Sequence, residues 1–230
     1  LGEPRENIAA IEANSAVAIL SDTGTFSLSS SLQGITKEMH SKALAAAGRK
    51  SLASSLFCQQ KMIKYSTDTV ASAMWLKIGA YRFVQGALAL AGARPMPLHE
   101  LAQTRRAGLA PEAAEGVEVA LECIGIERAT RPAIARSLEA LAEIKSGDYD
   151  RELVISKASH LLEKSMLADC YYYQGRIAAD SLAGRQGAFH RKYAKLVQLS
   201  MDLASDSQRL EKLGKSLSRA ARQSLLQSRA

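Results

Sequence analysis

Aromatic residues are scarce: Phe, Trp and Tyr together make up 5% of the 230 residues. Proline occurs only five times and cysteine three times. Few aromatic and β-branched residues disfavour strands, and few prolines leave long stretches free to coil. Ala, Leu, Ser, Glu, Lys and Arg dominate instead, most of them good helix formers. The composition predicts an all-α protein, a multi-helix bundle. Cys58, Cys123 and Cys170 are far apart, odd in number and form no C-x-x-C pair. That argues against a disulfide framework or a structural zinc site. The thiols read as buried small hydrophobes of a reducing, cytoplasmic compartment.

Other chemistry is missing too. The chain has no G-x-x-x-x-G-K, no strand-linked G-x-G-x-x-G, no H-E-x-x-H and no G-x-S-x-G. Nothing therefore signals nucleotide-loop, zinc-protease or serine-hydrolase chemistry. His40, His99, His160 and His190 are too dispersed for a local metal cluster, so neither metal nor cofactor is expected. The paired Glu139 and Glu143 read as a solvated helix face. His160 and Cys170 form a base and nucleophile only if folding joins them. The opening LGEPRENIAA has no basic region followed by an apolar one, unlike a secretory signal. The stretch 70–92 has the length of a membrane span, but Lys77, Arg82 and Gln85 sit at its middle. Charges at a bilayer centre are costly, so it reads as a buried core helix.

What is present reads as helices between punctuation. A first helix is expected over 4–20, followed by a Ser-rich loop over 21–34. A helix over 35–56 comes next, then the apolar helix around Trp75. In that helix Gly79 and Ala80 recur seven residues later as Gly86 and Ala87, small enough for another helix to approach closely. Residues 92–112 carry three of the five prolines. They mark a break between an N-terminal region (1–93) and a C-terminal region (94–230). Pro97, Pro111 and Pro132 look like first-turn prolines. The helix after Pro132 turns Ile134, Leu138, Leu141 and Ile144 to one side and is expected to stop at Gly147.

The segment around Pro111 superficially suggests a helix-turn-helix. Its second helix holds Glu112, Glu115, Glu118 and Glu122 and no basic residue, which opposes entry into a polyanionic groove. The last third predicts one helix over 150–182, another from Phe189 through Tyr193, Val197 and Met201, and a third from 206 onward. In CYYYQGR, residues 170–176, three consecutive tyrosines point in three directions on a helix. At least one is expected at the surface, at a subunit interface.

Charge is the most informative pattern. Residues 184–230 hold ten Lys and Arg against three acids, a net +7 that equals the whole formal excess of the chain. In the final helix Lys212, Lys215, Arg219 and Arg222 step by three, four and three, so they share a face. Leu210, Leu213, Leu217 and Ala220 or Ala221 share the opposite one. A basic amphipathic helix suits nucleic acid, an acidic protein surface or an anionic membrane. A terminal helix that packs its leucines and solvates its lysines is the plain alternative.

GRQGAFHRKY, residues 184–193, places Arg185 five residues before His190 and follows it with Arg191 and Lys192. The R-x-x-x-x-H pattern resembles the signature of the HEPN ribonucleases, over these six residues alone. That family consists of small all-helical proteins that usually dimerise and cut RNA without metal. The resemblance implies that His190 moves the proton of the attacking ribose hydroxyl while Arg185 stabilises charge on the phosphate. The bland reading is a basic turn bracketed by Gly184 and Gly187.

Two function classes follow. The first is a helical interaction protein of a larger assembly or a homo-oligomer packed through its helices, whose basic third engages nucleic acid or another acidic surface. Its contact residues are Arg185, Arg191, Lys192, Lys195, Lys212, Lys215, Arg219 and Arg222. The second is the metal-independent ribonuclease of Arg185 and His190.

Overall fold

The computed structural model describes residues 37–144, 149–185, 187–204 and 206–228. The helix expected over 4–20, the Ser-rich loop and the stop at Gly147 lie outside them. Among the described residues ten α-helices form: α1 (Lys37–Lys64), α2 (Thr69–Leu90), α3 (Glu100–Arg106), α4 (Pro111–Ile124), α5 (Arg131–Glu143), α6 (Arg151–Glu163), α7 (Leu167–Ala183), α8 (Gly187–Lys192), α9 (Ala194–Ser200) and α10 (Ser207–Gln227). A single 3-10 turn, Ile126–Arg128, links α4 to α5. The described residues contain no strand. The all-α bundle expected from composition is what forms.

Helix boundaries follow local chemistry. Asp68, Thr130, Asp150 and Asp206 cap α2, α5, α6 and α10, each accepting from a backbone N–H of the first turn. Pro111 and Pro132 open α4 and α5 as expected, whereas Pro97 precedes α3 and lies outside it. Gly125, at φ 77°, ends α4 in the left-handed region. The single helix expected over 150–182 is two helices, because Ser165 adopts φ 57° and reverses the chain between α6 and α7. The helix expected from Phe189 to Met201 is likewise divided. Tyr193, at φ −114° and ψ 30°, separates α8 from α9.

At the centre lies α2, with eighteen of its 22 residues buried. A helix apolar on all sides must be enclosed on all sides, and α1, α4, α7, α9 and α10 pack around it. No helix among the described residues is long and apolar enough to cross a membrane. The small residues of α2 do bring a neighbour close. A Cβ on Gly86 would sit 2.7 Å from the Leu52 Cγ of α1, and one on Gly79 would sit 3.2 Å from the Cys58 Cβ. The hydrophobic cluster runs from Leu52 of α1 to Ala221 of α10, across the proline-rich segment.

A second enclosed helix, α7, has thirteen of its 17 residues buried. Tyr171, Tyr172 and Tyr173 are all in the core, at 2%, 1% and 3% exposure, so none reaches the surface as expected. The reason is tertiary: α2, α3, α5 and α6 surround α7, so all three directions meet protein.

Candidate functional site

The last helix behaves as its spacing dictates. Leu210, Leu213, Leu217, Ala220 and Ala221 are buried where α10 rests on α1, α2 and α4. Full burial of Leu217 alone is worth about 1.5–3 kcal/mol. Lys212, Lys215, Arg219 and Arg222 are exposed on the other side. Lys215 pairs with Glu211 at 2.6 Å one turn away and holds that carboxyl below its usual range. Such a surface pair, screened by water, leaves both groups exchangeable with other partners. Arg209 reaches Glu127 at 3.2 Å and Glu122 at 3.5 Å. Glu115, Glu118 and Glu122 of α4 are exposed, so the cations of α10 border an acidic neighbour. A groove of about 650 Å³ separates α10 from α1, with Lys215 and Arg222 among its lining residues.

The second group of cations sits on α8, on α9 and on the link that precedes α8. Arg185, Arg191, Lys192 and Lys195 are all exposed. No carboxylate lies within ion-pair distance of Arg191, Lys192, Lys195, Lys212, Arg219 or Arg222 among the described residues. The eight cations singled out from the sequence therefore all reach solvent.

His190 does not share that exposure. It is 7% exposed, and its ring meets Trp75 edge-on with centroids 6.0 Å apart. Its Nε2 lies 3.1 Å from the Leu182 carbonyl. A carbonyl only accepts, so Nε2 carries the proton. Burial pushes the imidazole below the usual histidine range, and nearby Lys61 adds to the effect against the Leu182 contact. The Arg185 guanidinium lies over the Phe189 ring, 5.2 Å from its centroid, at the surface. The two ends of the R-x-x-x-x-H pattern thus occupy different surroundings.

The cysteines are buried as expected. Burial raises Cys58 and Cys170 to about 11 and Cys123 to about 12. The Cys170 thiol donates to the Ala158 carbonyl at 3.5 Å, while His160 is exposed. Among the described residues no cluster of metal-ligating side chains forms.

Sequence reasoning missed two groupings. One is internal. Glu100 is fully buried and accepts from Tyr172 at 2.9 Å and Gln85 at 3.4 Å, with the Arg176 guanidinium 3.4 Å away. Arg176 also pairs with Asp180, which Arg82 meets at 3.0 Å and the Tyr149 hydroxyl donates to. Its members come from distant parts of the chain and pair with one another, so the network reads as a staple joining α2, α3 and α7.

The other grouping is at the surface. The chain at the end of α1 brings Lys61 and Tyr65 to α8: a Cβ on Gly187 would lie 3.7 Å from the Tyr65 hydroxyl, and Lys61 acts electrostatically on His190. Lys61 sits over Trp75 at 3.9 Å and over Phe57 at 4.8 Å. The lysines of α1 fall within residues 1–183, where twenty Lys and Arg meet twenty acids, so net charge gave no signal for them.

No protein-family model matches the chain, and neither does any curated protein or solved structure. The fold and surface define it only as an all-α bundle with exposed cations on its C-terminal third.

Proposed function

We propose that this protein is a helical interaction module whose basic C-terminal third binds an acidic partner, with nucleic acid the first choice. The observation that carries this reading is the exposure of its cations. Six of them lack a carboxylate within ion-pair distance among the described residues, while the apolar residues of the same helices are buried. Cations presented this way, with counterions to release, match a phosphate backbone. Helix packing into a larger assembly or a homo-oligomer belongs to the same reading, and sedimentation of the chain reports on it.

The test is binding of labelled nucleic acid at 50 and 200 mM salt. Affinity should fall steeply between the two, with a slope reduced by about one for each phosphate contact removed by Lys212→Ala, Arg219→Ala or Lys192→Ala. Capture by acidic vesicles in place of nucleic acid would move the partner to a membrane surface. The ribonuclease reading has no comparable support, because the His190 ring is buried and its Nε2–H is committed to Leu182. RNA product that disappears with His190→Ala would restore it.

A further inference from the structure

We infer that the corner where the end of α1 meets α8 takes single-stranded nucleic acid, with unstacked bases on its exposed rings and phosphates on the cations between them. This rests on the proposed binding of nucleic acid and names the form of it that the corner accepts.

Ring and cation contacts link the corner into one row. Phe57 touches Lys61, and Lys61 touches Trp75. Trp75 meets His190, whose neighbour Phe189 stacks at a tilt on Tyr193 with centroids 4.7 Å apart. Two rings of this row stand well out of the surface, Phe57 at 56% exposure and Tyr193 at 39%. Among the described aromatic residues these two alone are so exposed. Trp75 and His190, both buried, form the floor beneath. The last turn of α1 and the whole of α8 contain no acid. The nearby Asp68 accepts from the Ala71 N–H at 3.0 Å as the cap of α2.

The rings decide between duplex and single strand. In a duplex each base face is covered by its neighbours, so phosphates alone are offered and exposed rings gain nothing. A single strand offers both faces and phosphates, and every base has a face to stack. Each exposed ring already carries a lysine, Lys61 over Phe57 and Lys192 over Tyr193 at 5.2 Å. An exposed cation–π contact is worth only about two- to fivefold in an equilibrium constant, against about five- to a hundredfold for a stacked base. The base therefore wins the ring, and the displaced ammonium is left within reach of the adjoining phosphate.

Fluorescence anisotropy with the full chain tests this, using a 12-nucleotide uridine-rich RNA, the matching DNA, a duplex of equal length, and a 12-mer of abasic deoxyribose phosphates. The expected result is at least about tenfold preference for the single strands over duplex and abasic backbone. Phe57→Ala and Tyr193→Ala should each cost about tenfold on single strands and leave duplex binding unchanged, while Tyr193→Trp retains affinity. Both positions are exposed, and an unchanged melting temperature verifies folding. Equal binding of all four probes, or alanine variants without effect, overturns the inference while the nucleic-acid reading stands. If none of the probes binds, both fall.

Discussion

The Lys77 Nζ donates to the Met201 carbonyl at 2.6 Å, joining the middle of α2 to the end of α9. It also donates to the Tyr171 hydroxyl at 3.1 Å, which in turn donates to Asp202 at 2.6 Å. Asp202 adopts φ 46° and pairs with Arg128 at 3.3 Å. A lysine only 2% exposed thus anchors a strained corner of the chain.

Stability should depend on pH through this lysine. Burial lowers Lys77 from 10.5 to about 7, with Arg128 adding to the effect and Asp202 and Glu127 opposing it. Between those values the unfolded chain holds the extra proton, so this group makes stability rise with pH across that window. The rise is at most about 1.4 kcal/mol per pH unit. Lys77→Met should remove it, as urea unfolding at pH 7 and pH 8.5 would report. Identical pH slopes for the two proteins would sink the assignment.

The Glu100–Arg176 staple predicts an asymmetric pair of mutants. Burial pushes the Glu100 carboxyl up, against the opposing pull of Arg176, Tyr172 and Gln85. Burial also disfavours the Arg176 charge, but Glu100 and Asp180 outweigh it and hold the guanidinium charged. Arg176→Met leaves the buried Glu100 carboxylate without a cation, while Asp180 keeps Arg82, and should cost about 3–5 kcal/mol in denaturant unfolding. Glu100→Gln should cost less, because Asp180 still holds Arg176. A loss below about 1 kcal/mol for Arg176→Met would contradict the network's role.

Gly175 and Tyr81 should be coupled. A Cβ on Gly175 would lie 2.2 Å from the Tyr81 hydroxyl, and that buried hydroxyl has no hydrogen-bond partner among the described residues. Gly175→Ala should destabilise by about 1–3 kcal/mol through overpacking. Tyr81→Phe removes both the clash and an unsatisfied polar atom, so alone it should be near neutral. The double variant should regain most of the loss in a double-mutant cycle. Additive effects would show that the two helices adjust elsewhere.

His190→Ala should act on stability ahead of binding. The change removes one donor from the Leu182 carbonyl, which keeps the Arg185 N–H at 3.0 Å, and also the contact with Trp75; the lost hydrogen bond costs about 0.5–1.5 kcal/mol. Because the folded imidazole titrates below its usual value, the unfolded chain takes up the proton first as pH falls. The wild type should therefore lose stability below about pH 6.5 more steeply than the variant. Thermal melts at pH 5.5 and pH 7.5 measure the difference. Parallel behaviour of the two proteins would show that the ring is accessible to water in both states.

Helix content and the two faces of α10 were legible because each depends on neighbours three or four residues apart. Leu210, Leu213 and Leu217 against Lys212, Lys215 and Arg219 is a pattern of angles around one axis. Lys77, Arg82 and Gln85 were equally legible as a reason against a membrane span. They carried no sign of their partners, which lie on α3, α7 and the end of α9. The candidate surface was half visible. Arg185, Arg191 and Lys192 stood out as charge, while Phe57, Lys61 and Tyr65 sit more than a hundred residues away in the chain.

By itself the sequence determined a helical chain, a core helix around Trp75, helix starts at Pro111 and Pro132, and a concentration of positive charge in its last fifth. All of these are local, set by propensity, capping and periodicity within a few turns. Only the tertiary structure decided that three consecutive tyrosines are all buried and that His190 turns inward from its basic neighbours. It also decided that Lys61 and Tyr65 join α8. Those outcomes depend on which helices surround α7 and where α1 ends, and packing between distant segments leaves no periodic trace in either one.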